Sequence, residues 1–297
     1  MGDPAFVLGQ VFNGLSVASI YVLAALGLAL SFGLMRVINM AHGEIVMIGG
    51  YIAYLVMHVV TGPLGLPLAM LAAFAGAGLM GAVLEFGLIR SLTSRPLDTL
   101  LATWGVSLIA QQASRDLFGA TGVSVTAPAW MSGALTLGPM SLPITRLFIL
   151  AVSMLVLAAL AALLKTTRVG LLVRAVNQDR PTAAAMGVSV RGVDMFVFAL
   201  GAAVAGLAGV VLALLGPVTP TVGQSYIVPA FLVVIMGGLG SISGTTIAAV
   251  IIGLFSALAQ MFVDVSFAQV LMLAFVIVFL QFRPQGVIAI RSRALDA

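Results

Sequence analysis

The feature that most constrains this chain is how rarely charge interrupts its long apolar runs. From Leu147 to Leu164, and again from Val193 to Leu215, apolar residues follow one another instead of alternating with polar ones. Barrel strands hide apolar residues in alternation. Continuous runs of this length fit helices that satisfy their own backbone hydrogen bonds inside lipid. Only 7% of residues are charged and 62% are hydrophobic, against roughly 25% charged in soluble domains. Such a chain cannot cover its surface against water. The expected fold class is all-α: a polytopic transmembrane helical bundle of about 8–10 spans, some short or broken.

Candidate spans cover 10–35, 38–60, 66–90, 99–117, 146–165, 193–216, 226–240, 245–263 and 266–282. The opening residues lack the basic region of a signal peptide, so the first run is expected to be retained as a span. Basic residues orient the bundle, because Lys and Arg concentrate on the cytoplasmic side. With Arg36, Arg90–Arg95, Lys165–Arg191 and Arg283–Arg293 inside, only Arg115 and Arg146 remain outside. This puts the first residue outside and the last inside, which requires an odd number of crossings. The uncharged stretch Gly119–Thr145 becomes an outer loop, with Trp130 as an interfacial anchor. Small residues at Ala73, Ala77 and Gly81, and at Gly201, Ala205 and Gly209, offer faces on which helix backbones can approach closely.

Four groups of residues carry the functional reading. Asn39, His42 and Glu44 lie at the inner end of the second span. Glu44 either caps a helix beginning near Ile38, with Asn39 as the cap, or lines a path across the membrane. In the inner loop 166–192, Asp179 suits an N-cap, Pro181 a first helical turn and Gly187 a C-terminal stop. That spacing predicts a helix of about two turns, and most connections are far shorter than this loop. It therefore reads as a docking element carried by Asn177, Asp179, Arg180, Pro181, Ala184, Met186 and Gly187. Gly237, Gly238, Gly240 and Gly244 predict a tight turn or helix break. Finally, Asn13, Ser16, Ser19, Thr103, Trp104, Ser107, Gln111, Gln112, Tyr226 and Gln260 place polar groups within or beside spans. They serve either a path for a neutral polar solute or helix-to-helix hydrogen bonds.

Absences exclude other classes. There is no cysteine, and with two histidines a metal centre is not expected. Lys165 is the sole lysine and belongs to no phosphate-binding loop, so the chain has no ATP site of that kind. No nucleophile, base and orienting group occur together, so no catalytic residues are expected. Nothing points to nucleic acid.

Asn13–Ser16, Val37–Glu44, Arg174–Gly187, Gly237–Ser241 and Arg283–Gly286 occur in an order that resembles the permease subunits of branched-chain amino acid and urea ABC importers. The resemblance covers nearly the whole chain. It implies a single ABC-importer transmembrane domain over 1–297 in a bacterial inner membrane. It also implies a second homologous permease, two cytoplasmic ATPase subunits carrying ATP and Mg, and a periplasmic solute-binding protein. The Asp179–Gly187 helix then matches the family's coupling helix. Leu97–Ser107, Pro220–Val228 and Phe282–Gly286 look more like the urea branch, making urea the expected solute and branched-chain amino acids the alternative. Pro229 departs from that branch, which has an acidic residue there. A stand-alone facilitative channel for a small neutral solute is the reading from another class.

Overall fold

The computed structural model describes residues 4–288 apart from 36, 94, 138 and 139. Among them, nine long helices match the nine candidate spans. They are α1 (Pro4–Met35), α2 (His42–Val59), α3 (Gly65–Leu84), α5 (Pro96–Phe118), α6 (Ile144–Thr166), α9 (Val190–Ala213), α10 (Val222–Gly237), α11 (Ile242–Ala259) and α12 (Val265–Phe282). Shorter helices lie between them: α4 (Arg90–Leu92), α7 (Arg168–Gln178) and α8 (Arg180–Ala185). Seven of the nine are long and apolar enough to cross a bilayer by those criteria alone. The exceptions are α10, with 16 residues, and α5, with a row of polar side chains.

The core gathers around α1 and α9, where small residues do the packing. Gly201 lies on Gly27 of α1, Gly206 enters between Ala73 and Ala77 of α3, and Gly209 sits on the Val46 carbonyl of α2. The expected Gly201–Ala205–Gly209 face therefore meets α1 and α2, while a second face through Ala202 and Gly206 receives α3. With backbones this close, dispersion over the whole length replaces the hydrophobic drive that lipid cannot supply. The α3 helix continues through a π-helical turn, Glu85–Ile89, into α4. Buried Glu85 opens that turn, and the turn packs against α9.

Two departures from the expected outline bear on the site. The outer loop is not wholly irregular. It carries a hairpin, β1 (Ala134–Leu137) paired antiparallel with β2 (Met140–Pro143), and a bridge from Val123 to Val218. Trp130 meets Phe148 edge-on, with ring centroids 5.7 Å apart. The second span begins at His42, not near Ile38. Asn39 is not its cap, because Ala41 occupies that position without a side-chain bond. The Asn39 Oδ1 instead accepts from the Ala41 amide at 3.0 Å, closing an Asx turn just ahead of the helix.

Candidate functional site

The late start of α2 creates the central feature of the bundle. His42 Nε2 donates to the Ala24 carbonyl at 2.9 Å, far from the inner end of α1. Ala24 lies roughly 16 Å above Met35 at ~1.5 Å per residue. Residues 37–41 therefore climb back from the inner end in non-helical form to about mid-bilayer. Irregular backbone at that depth is tolerated only where protein or a water-filled cavity satisfies it. Val37, Asn39 and Ala41 are buried, the Met40 amide donates to Thr103 Oγ1 at 3.1 Å, and the Ala41 amide is held by Asn39.

The wall that receives this break is α5. Thr99, Thr103, Ser107, Gln111 and Ser114 recur every three or four residues and form its buried face. Leu97, Leu101, Leu108 and Ile109 point outward. This is an amphipathic helix turned inside out, polar towards protein and apolar towards lipid or a partner. Glu44, 1% exposed in the first turn of α2, meets that seam. Its Oε1 accepts from Ser107 Oγ and from Gln111 Nε2, each at 2.8 Å, and Gln111 Nε2 also donates to Ser107 Oγ at 3.1 Å. Glu44 Oε2 and Asn39 Nδ2 are buried and have no hydrogen-bond partner among the described residues. Buried polar atoms are nearly always paired, so these two, like the Tyr51 hydroxyl, Glu85 Oε2 and Thr245 Oγ1, stand out among the described residues.

A second helix end converges on the same point. Gly43 packs on the Gly223 carbonyl at the start of α10, and a Cβ on either glycine would collide with the other's backbone. Two helix N-termini thus face each other next to Glu44, each contributing partial positive charge.

The remaining expected site residues fall elsewhere. His42 is committed to the α1 backbone on the side away from α5. Trp104 lies outside this cluster: it is 49% exposed, since a step of about 100° along α5 turns it away from Thr103. Tyr226 lines a small cavity of about 140 Å³ beside the α9–α10 turn and meets Tyr21 edge-on at 6.4 Å. Asn13 is half-buried near the outer end of α1, roughly 16 Å along the helix from Ala24. Gln112 bonds Asp116 on the exposed side of α5, Gln260 bonds Ser256, and Ser19 bonds back to the Leu15 carbonyl. Gly237, Gly238, Gly240 and Gly244 form the tight α10–α11 turn at the inner end. Gly238 has φ +99° and Gly240 has φ +81°, and Gly240 rests on Gly33 of α1. The carbonyls of Met236 and Gly237 accept from the amides of Val287 and Ile288, which ties the turn to the segment after α12.

At the inner surface, the inner-loop helix is present as α8. Asp179 caps it through the Thr182 amide at 3.1 Å and accepts from the Thr182 hydroxyl at 2.7 Å. Those two bonds, the hydroxyl first, hold the Asp179 carboxyl below its ordinary range. Pro181 occupies the first turn, Gly187 ends the helix at φ +85°, and Ala184 and Met186 are exposed, Met186 to 80%. Asn177 is exposed at the end of α7. Arg180 does not join that outward face. Its guanidinium grips both oxygens of Asp194 in α9, each at 2.9 Å, and donates to the Leu34 carbonyl at 2.6 Å. One side chain thus ties α8 to α9 and to the last turn of α1, immediately before the break that leads to Glu44.

Asp194 was missed from sequence. The only available signal was a lone acid just inside a long apolar run, and the partner carbonyl of Leu34 has no sequence signature. Among the described residues no group of three His, Asp or Glu side chains could hold a metal ion.

A family model described as the permease component of the branched-chain amino acid transport system matches residues 10–280. The chain belongs to this family. Its members are permeases of ABC-type importers. The chain is 29% identical to the high-affinity branched-chain amino acid transport system permease protein LivH of Escherichia coli K12, over 95% of this chain and 96% of LivH. It is 30% identical to the corresponding protein BraD of Pseudomonas aeruginosa, over 95% of each chain. It is 25% identical to the ribose import permease protein RbsC of E. coli K12, over 84% of this chain and 77% of RbsC. No solved structure matches the chain.

Proposed function

We propose that this chain is the membrane subunit of an ATP-driven importer for branched-chain amino acids. In this reading a solute-binding protein delivers at the outer loops, and two ATPase subunits and a second permease act with it. The relatives named for branched-chain amino acids favour that solute over urea, to which the short segments of sequence had pointed. The site chemistry agrees. An amino acid carries an ammonium and a carboxylate. Here a buried carboxylate with a free oxygen stands beside two helix N-termini, and such termini suit anionic substrate groups in broken-helix transporters. Neutral urea needs neither charge.

The observation that carries the reading is the Arg180 clip. ATPase closure pushing on the exposed Ala184–Met186 face would move α8. Arg180 would pass that motion to α9 and to the last turn of α1, hence to the 37–41 break. Glu44 would then shift along the α5 seam, exchanging hydrogen bonds with Ser107 and Gln111 at little net cost, since such bonds within membranes average ~0.6 kcal/mol. The chain's own contribution is to bind, orient and gate. ATP and Mg would be held by the partner subunits.

The test is reconstitution of the complete importer with labelled leucine and urea. Leucine uptake that needs ATP, with Arg180→Gln retaining ATP hydrolysis but losing uptake, is the expected result. Leucine or urea flux through this chain alone without ATP would instead establish a facilitative channel.

A further inference from the structure

A cavity of about 610 Å³ opens at the inner end of the bundle, away from the Glu44 seam. It lies between α1, α6, α7, α9 and the start of α11, and its walls are mainly apolar, including Leu30, Leu157, Ala161 and Val197. Lys165, Arg174 and Asn177 stand at the rim. From Lys165 the chamber reaches up α6 to Leu157, about 12 Å at ~1.5 Å per residue, which is acyl-chain depth from the inner interface.

The charge around it is one-sided. The inner end of α6 and the whole of α7 carry Lys165, Arg168 and Arg174 and no acidic residue. Among the described residues, the ion pairs are Arg95–Asp98 and Arg180–Asp194, so Lys165 and Arg174 have no acidic partner there. Arg174 does donate to the Leu164 carbonyl, which steadies its guanidinium over the mouth without neutralising it. The α7 helix leaves Val169, Leu171 and Leu172 exposed beside these cations. An exposed apolar and basic helix of this kind lies in the membrane interface.

We infer that this cavity binds an anionic phospholipid of the inner leaflet, with its phosphate at Lys165 and Arg174 and an acyl chain in the chamber. Basic pockets between spans on the cytoplasmic side suit such headgroups. A free phosphate ion would satisfy the rim but leave the apolar chamber unfilled. The inference is independent of which solute the importer carries.

Native mass spectrometry of the full-length chain, released from detergent with phosphatidylglycerol or phosphatidylcholine, tests it. Retention of phosphatidylglycerol over phosphatidylcholine is expected. The Lys165→Gln/Arg174→Gln double variant should lose that retention roughly 10- to 30-fold, at about 1 kcal/mol per basic residue near an anionic surface. Ala161→Trp, which fills the chamber and leaves the charges intact, should lose retention as well and serves if the double variant does not fold. Equal retention of the two lipids, or retention unchanged in either variant, overturns the inference. So does stabilisation of lipid-free protein by inorganic phosphate alone to the same extent, which would assign the rim to a free anion. Loss of the lipid on assembly with the partner subunits overturns it in favour of a protein occupant.

Discussion

Helices α9 and α5 are buried by opposite means. Along α9, glycine and alanine let three neighbouring helices approach backbone to backbone, leaving little slack for a displaced atom. Along α5, the buried side is a row of hydroxyls and amides facing one carboxylate, and its bonds can be exchanged for others of similar strength. The first arrangement resists movement and the second permits it. A transporter needs both: a rigid frame, and a seam along which its central polar group can be re-partnered. The Arg180 clip joins them, because Asp194 stands at the start of α9 and Leu34 borders the break that leads into the seam.

The contrast can be broken most forcefully in the frame. Gly206→Leu places a side chain against Ala73 and Ala77, and Gly209→Leu drives one into the α2 backbone. Overpacking commonly costs about 1–3 kcal/mol even where side chains can yield. Here backbone must move, so loss of monodisperse protein in size-exclusion chromatography is expected. Normal folding of either variant would show that the frame is looser than its geometry.

Glu44→Gln is the sharpest probe of the seam. It keeps the shape and can still accept from Ser107 or Gln111, but it removes the charge. Uptake should fall at least tenfold while thermal stability changes by under about 1 kcal/mol. Unaltered uptake would assign Glu44 a purely structural part. Ser107→Ala should be milder, costing about 0.6 kcal/mol of stability, the average for a hydrogen bond within a membrane protein. It should lower uptake less than Glu44→Gln in the same transport assay.

The smallest expected effect lies in α8. Its Asp179 cap has a depressed carboxyl pKa, so its stabilisation is fully present above the ordinary carboxylate range. It is lost as pH falls through the lowered folded value. Amide-exchange protection in α8, corrected for the intrinsic pH dependence of exchange, should therefore be steady at neutral pH and fall only in acid, and Asp179→Asn should flatten that profile.

Seven of the nine helices could be anticipated because each is a long apolar segment, and burial in lipid is written residue by residue; α10 is shorter and α5 more polar, but apolar residues still fill most of each. The capped α8 helix was equally legible, since Asp179, Pro181 and Gly187 act within one local turn pattern. Thr103, Ser107 and Gln111 could also be recognised as polar, and their four-residue spacing places them on one face.

What the amino-acid order settled by itself was thus the membrane class and the helices, because local periodicity and composition suffice for each. Three features depended on the tertiary structure: the mid-bilayer start of α2, the meeting of Gly43 with Gly223, and the grip of Arg180 on Asp194 and a backbone carbonyl. Each joins residues distant in the chain, and two involve main-chain atoms that every residue possesses. Contacts of that kind leave no local pattern to read, and only the packing of whole helices brings them together.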